Sequence, residues 1–302
     1  MLRATNPVIK HAAPHPRDVL ALLKPITWFP PMWAFMCGVV SSGVSLTERW
    51  PFLIAGVLLA GPLVCGTSQA VNDWYDRHVD AINEPDRPIP SGRIPGRWGL
   101  YIAITGTLIS LIMGAAIGPW VFAATILGII LAWGYSAPPV RLKMSGWWGP
   151  AAVALSYEGL TWFTGAAVML GALPSGHTLA LILLYSIGAH GIMTLNDFKA
   201  VEGDQQMGIR SLPVIFGIRP AACLACTVMT VPQIIVAVLL AQWGLSWHAS
   251  IVGIMLAIQL ILMRRLVADP KARAPWYGAT GVSLYVLGML VSAIGIGGGG
   301  GL

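Results

Sequence analysis

This 302-residue chain reads as an all-α integral membrane protein with nine transmembrane helices. It is 56% hydrophobic and only 10% charged, with a mean hydropathy of +0.73. A soluble domain carries roughly 25% charged residues, so an ordinary water-facing surface cannot be assembled from this composition. Nine apolar runs approach the length of about 20 residues that a helix needs to cross a bilayer. The basic residues, counted against those runs, fall almost wholly on one side. The formal charge of +6 therefore reports orientation and calls for no nucleic acid partner.

The runs lie at 26–44, 51–70, 98–117, 119–136, 149–171, 177–196, 218–240, 247–265 and 277–296. Pro30-Pro31 is expected to kink the first, and Gly118-Pro119 is a soft joint between the third and fourth, so that eight spans is the alternative count. Residues 1–25 form an N-terminal segment with no cleavable leader evident, 26–296 one transmembrane domain, and 297–302 a glycine-rich tail. With nine spans, 17 of the 18 Lys and Arg residues share the side of the N-terminus, and Arg49 alone lies opposite. The positive-inside rule then places the N-terminus in the cytoplasm and the C-terminus across the membrane. Cys37, Cys65, Cys223 and Cys226 sit in apolar stretches, where a thiol behaves as a small hydrophobe.

Eight of the twelve carboxylates fall in two clusters, both at the cytoplasmic ends of even-numbered spans. In V-N-D-W-Y-D-R-H-V-D, Asn72, Asp76 and Asp80 stack at i, i+4 and i+8 if span two continues as helix, with Asp73 beside them. In T-L-N-D-F-K-A-V-E-G-D, Asp197 and Asp204 are two helical turns apart. So many like charges need a counter-ion, and Mg²⁺ suits oxygen donors combined with substrate phosphates. Zinc does not fit, since no Cys or paired His accompanies the Asp residues. Arg77, Arg87, Arg93, Arg141, Lys143, Lys199 and Arg210 interleave with the clusters, so metal and bases together describe a diphosphate site. The plainer reading of each cluster is a solvated loop whose Asp side chains cap helices.

The first cluster resembles the N-D-x-x-D-x-x-x-D motif of UbiA-type membrane prenyltransferases, whose nine-helix bundle agrees with the span count. Asp197 and Asp204 match the ends of that family's second motif, with Ala200 where its middle Asp stands. Longer blocks, D-A-I-N-E-P-D-R-P-I-P-S-G-R-I, Y-S-A-P-P-V-R-L-K and N-D-F-K-A-V-E-G-D, are similar to the chlorophyll and bacteriochlorophyll synthase branch. The resemblance implies esterification of the propionate of a (bacterio)chlorophyllide by geranylgeranyl or phytyl diphosphate, in a bacterial photosynthetic inner membrane. It also leaves room for protein partners in the photosynthetic apparatus. It carries metal ligation onto Asn72, Asp73, Asp76, Asp80, Asp197 and Asp204, with Asp76, Asp80, Asp197 and Asp204 as the catalytic set. Lys199, Arg210, Arg141, Lys143, Arg77 and Tyr135 become diphosphate contacts.

Glu158 is the carboxylate deepest within a span, and His190 lies seven residues before Asp197 on the same helical face. Both are candidates for the substrate cavity; Glu158 can equally be protonated and hydrogen-bonded to a neighbouring helix, and for His190 a satisfied core histidine is the commoner reading, with ligation of the macrocycle's magnesium as the alternative. Trp74, Tyr75, Trp133 and Tyr135 are aromatic candidates for shielding an allylic cation. Competing functions are a sister prenyltransferase acting on a quinone precursor or haem, a transporter, and a non-catalytic pigment-binding protein.

Overall fold

The computed structural model describes residues 13–298, and every described element is helical apart from an isolated bridge between Ser145 and Arg210. Arg3 and Lys10, counted above for orientation, and the end of the glycine tail lie outside the described residues. Seven helices are long and apolar enough to cross a membrane, or eight when the bent pair Pro16–Leu23 and Pro25–Ser41 is taken as one span. The expected nine is not reached by that measure. The shortfall falls on residues 148–170, which are helical throughout but carry Glu158 among Ser, Tyr and Thr side chains.

The first helix, α1 (Pro16–Leu23), starts on a proline and ends at Lys24, whose φ of 47° is left-handed. A short 3₁₀ turn, Pro25–Trp28, leads into α2 (Phe29–Ser41). Pro30 and Pro31 do not kink this span. They sit in the first turn of α2, where their missing N–H has no helical partner to lose, and the 42° bend is upstream, at Lys24.

The second span is one 34-residue run: α3 (Trp50–Leu58), a π turn (Leu59–Cys65) and α4 (Gly66–Asn83). Pro62 lies in that turn, where its ring and absent N–H disturb the helical hydrogen bonding. At 1.5 Å per residue the run is about 50 Å long, against a hydrocarbon core near 30 Å. The last turns of α4, which bear the first Asp cluster, therefore project beyond it. Next come α5 (Trp98–Ile117) and α6 (Pro119–Ser136), separated at Gly118 and with Pro119 opening α6.

Residues 148–170 form α7 (Trp148–Ala154), a second π turn (Leu155–Leu160) and α8 (Thr161–Leu170). Helix α9 (Gly176–Thr194) tightens into a 3₁₀ turn over Leu195–Lys199 before α10 (Val201–Gln206) and α11 (Leu212–Phe216). Three long helices complete the bundle: α12 (Ile218–Gln242), α13 (Ser246–Ala268) and α14 (Pro270–Gly298).

Small residues set how closely the helices approach. A Cβ on Gly38 of α2 would lie 2.0 Å from the Trp162 carbonyl oxygen, and one on Gly165 of α8 would lie 2.0 Å from that of Phe35. Without a hydrophobic force between helices in lipid, such close backbone packing drives their association. Between α12 and α13, Gln233 and Gln259 are buried and donate to each other's amide oxygens at 3.2 and 2.9 Å, satisfying polar groups that lipid could not. Trp162, Tyr185 and Tyr285 fill the core, the first two stacked at 5.6 Å and the tyrosines edge-on at 5.4 Å.

Replacing Gly165 by Val should cost about 1–3 kcal/mol or more by overpacking, read as a lower unfolding midpoint in detergent. Gly253→Ala, where a Cβ meets nothing within 4 Å, should hold or slightly raise that midpoint.

Candidate functional site

The loops that follow α4, α6, α9 and α13 meet at one end of the bundle. Arg93 bonds Asp18 at 3.1 Å, Lys24 bonds Asp73 at 2.7 Å, Lys143 pairs with Asp76, and Lys271 pairs with Glu202. The loop between α6 and α7 is tied to the segment between α10 and α11. Arg210 N–H donates to the Met144 carbonyl at 3.0 Å, and Gly146 N–H donates to the Arg210 carbonyl at 2.8 Å.

Between these loops and the two π turns lies a cavity of about 430 Å³. Its polar part is formed by Asn72 and Asp76 from α4, Tyr135 from α6, Lys143 from the next loop, and Asn196, Asp197 and Asp204 from the second motif. Its apolar part is formed by Val64, Gly128, Leu131, Ala132 and Val153. Each π turn faces it, with Val64 from one and Ser156 and Tyr157 from the other. The turns touch through the Cys65 thiol, 3.3 Å from the Tyr157 hydroxyl, which also accepts from Gln69 at 3.2 Å.

The carboxylates divide into two sets. Asp76 faces the cavity, where Asn72 donates to it at 3.0 Å and to Ser136 at 3.1 Å. Asp73 and Asp80 are buried on the neighbouring side of α4 and turn to Lys24 and Arg87, with Arg87 bonding Asp80 at 2.9 Å and Asp73 at 3.4 Å. Asp73 Oδ2 is buried without a partner. Among the described residues, Asp197 and Asp204 form no ion pair. The second motif does not continue the helix of α9: Asp197 lies in the 3₁₀ turn and Asp204 in α10, and the fold-back brings both to the cavity. Burial pushes the Asp204 carboxyl above its ordinary value, partly offset by the nearby Ser211 hydroxyl.

The charged side chains on the lining are Asp76, Asp197, Asp204 and Lys143, a net charge of −2 with oxygen donors only. A hard divalent cation fits that set. Among the described residues, no three His, Cys, Asp or Glu side chains converge tightly enough to hold a metal on their own.

The other expected contacts lie elsewhere. Arg77 donates to the Trp74 carbonyl at 2.6 Å and lies over the Trp74 ring at 4.1 Å. Lys199 and Arg210 are exposed, and Arg210 serves the site through its backbone. Arg141 adopts φ 40° with a buried, unpartnered Nε. Glu158 is buried within the second π turn, beside lining residues but not among them, and its Oε2 has no partner. His190 is off the lining, with Nε2 3.1 Å from the Trp147 carbonyl. Trp133 pairs edge-on with Tyr75 at 6.3 Å, and neither is on the lining, nor is Trp74. Sequence reasoning missed Tyr157, which hides in an apolar span, and Lys24, whose signal was its position as the last base before the first span.

The helical bundle and the cavity lined by paired Asp motifs and apolar side chains define a membrane prenyltransferase. Residues 27–293 match the model of the UbiA prenyltransferase family, and the chain belongs to that family. It is 60% identical over 285 residues to the bacteriochlorophyll synthase 33 kDa chain of Cereibacter sphaeroides, covering 94% of each. It is 37% identical to the chloroplastic chlorophyll synthase of Arabidopsis thaliana, covering 91% of this chain and 73% of that one. The solved structure of a UbiA homolog from Archaeoglobus fulgidus bound to GPP and Mg²⁺ shares the fold, with a TM-score of 0.72 and 21% identity over 90% of this chain and 99% of that one.

A metal binds carboxylate anions, so a carboxyl held above its ordinary value releases a proton on metal binding. Affinity for diphosphate with Mg²⁺ should therefore fall as pH is lowered and the Asp204 carboxyl takes up its proton, a loss that begins above the ordinary carboxylate range. Titration calorimetry in two buffers of different ionisation heat should show that proton release, reduced in Asp204→Asn.

Proposed function

We propose that this chain esterifies the propionate of bacteriochlorophyllide with a long prenyl group, from geranylgeranyl or phytyl diphosphate, and releases diphosphate. The chemistry rests on one observation above all: Asp76, Asp197, Asp204 and Lys143 meet on a cavity with an apolar floor. The choice of acceptor rests on the higher identity to the bacteriochlorophyll synthase chain than to the plant chlorophyll synthase.

Asn72, Asp76, Asp197 and Asp204 are the residues that would hold Mg²⁺ together with the diphosphate oxygens. When bound, Mg²⁺ neutralises the charge that the diphosphate gains as its allylic C–O bond breaks. Lys143, paired with Asp76, is the base on the lining that can turn to a phosphate oxygen. The acceptor needs no general base, because a propionate with a pKa near 4–5 is already ionised at neutral pH. Its carboxylate oxygen attacks the allylic carbon as that carbon loses its leaving group. Val64, Leu131, Ala132 and Val153 keep water from the developing cation, and the faces of Tyr135 and Tyr157 can stabilise it.

This reading takes the bundle as nine spans, with residues 148–170 counted as a crossing. The Asp-bearing end, with its Lys and Arg, is then cytoplasmic by the positive-inside rule, and the C-terminus lies opposite. The prenyl donor enters from the bilayer with its diphosphate at the aqueous mouth.

Protein in detergent, given geranylgeranyl diphosphate and Mg²⁺, should form ester faster from bacteriochlorophyllide than from chlorophyllide, and EDTA should stop it. Asp76→Ala and Lys143→Ala should each lower the rate about 100-fold or more, the scale of losing one preorganised charge contact at a reacting centre. No ester from either macrocycle would contradict the assignment.

A further inference from the structure

A cavity of about 430 Å³ is near the lower bound for enclosing one drug-sized ligand. It cannot also enclose a tetrapyrrole beside a long prenyl diphosphate. The macrocycle must therefore rest outside, close enough for its propionate to reach in.

Next to the cavity, on the outward side of the α6–α7 loop, the chain presents an aromatic shelf. Gly146 is on the lining, while its neighbour Trp147 is 43% exposed. The Trp147 ring packs on His190 of α9, centroids 5.6 Å apart, and meets Phe216, 47% exposed, edge-on at 6.4 Å. A carbonyl oxygen only accepts, so the contact from His190 Nε2 to the Trp147 carbonyl fixes the proton on Nε2. Nδ1 then carries the bare lone pair. It makes no hydrogen bond among the described residues and is not among the buried unpartnered atoms. An imidazole with one nitrogen pinned to a backbone carbonyl and the other free is how proteins prepare a histidine for a metal.

The spacing suits the same substrate. His190 precedes Asp197 by seven residues, four steps of α-helix and three of the 3₁₀ turn, about 12 Å along the axis. Bonds of about 1.5 Å, summed from the centre of a tetrapyrrole through a pyrrole ring and a propionate arm, give roughly 8–10 Å to its carboxyl. Of the other histidines in the described spans, His177 and His248 lie at the far end of the bundle, against Trp243 and Gly295, and His78, on α4, is exposed and off the lining.

We propose that His190 is a binding residue for the acceptor: its Nδ1 ligates the central magnesium of the macrocycle, which lies on the Trp147–Phe216 shelf with its propionate directed into the cavity. This rests on the acceptor reading above, and it makes the metal of the substrate, not only its carboxylate, part of what is recognised.

The test is absorbance titration of the detergent-solubilised protein, without prenyl donor, using bacteriochlorophyllide and its metal-free counterpart, bacteriopheophorbide. Wild type should bind the metallated form at least about tenfold tighter, some 1.4 kcal/mol, with the visible-band shift of axial ligation. In His190→Gly the ratio between the two acceptors should fall to near one and the shift should vanish, and added imidazole should restore both. Metal-free binding by the same variant reports that it is folded. Equal affinity in wild type, or a ratio and shift that survive in His190→Gly, would overturn the inference, as would failure of wild type to bind either macrocycle. Metal-selective binding without ester formation on adding donor and Mg²⁺ would leave the ligation standing and reject the esterification reading instead.

Discussion

Charge balance at one end of an apolar bundle is the constraint on which the rest of this molecule depends. Asp73 and Asp80 are buried at the end of α4 and are held by Lys24 and Arg87, which come from the first bend and from the loop after α4. Breaking a buried pair by removing one partner typically costs about 3–5 kcal/mol, because the other charge is left uncompensated. These pairs fasten the N-terminal helix and the α4–α5 loop around α4. That leaves Asp76, one helical turn from both Asp73 and Asp80, out of those pairs, held only by Asn72 and Lys143. Two carboxylates of the first motif thus build the wall of the site, and one faces the cavity.

The wall could not stand where it does with regular helices. The 34-residue second span carries its carboxylates past the hydrocarbon, and its π turn aims Val64 at the cavity while the opposing π turn aims Ser156 and Tyr157. π turns widen a helix locally and are frequent at functional sites. The fold-back after α9 brings Asp204 to the same space as Asp197, and the Gly146–Arg210 backbone pairing closes two loops on each other beside the cavity. A Cβ at Gly146 would meet the Leu212 nitrogen at 2.5 Å, so this closure needs glycine.

Much of this was legible in the sequence because hydropathy and charge are one-dimensional signals. Helix positions, the continuation of the second apolar run into the first motif, and the convergence of both motifs on one end all follow from composition along the chain, whereas seven or eight of the nine runs are long and apolar enough to cross. Which carboxylate does what was not legible. Asn72, Asp73, Asp76 and Asp80 share a helical stripe, and only the placement of Lys24 and Arg87, brought in by tertiary packing, separates the wall pair from the cavity pair. Periodicity likewise could not show that Ala200 ends the 3₁₀ turn, so that Asp197 and Asp204 meet by a fold-back rather than along one helix. Arg77 and Arg210 carry the right charge at the right end but are taken up by Trp74 and by a backbone bridge. Tyr157 gave no signal, since an apolar neighbourhood hides a hydroxyl that matters only once two π turns face each other.

On the proposed function, metal and diphosphate sit between the two motifs, not along the first motif alone. Anomalous diffraction from crystals grown with Mn²⁺ and a non-cleavable prenyl thiodiphosphate tests it most directly. Manganese peaks are expected between Asp76 of α4 and Asp197 or Asp204 of the second motif, joined by phosphate oxygens, with Asp73 and Asp80 still on Lys24 and Arg87. Peaks confined to Asp73 and Asp80, with those two bases displaced, would contradict it.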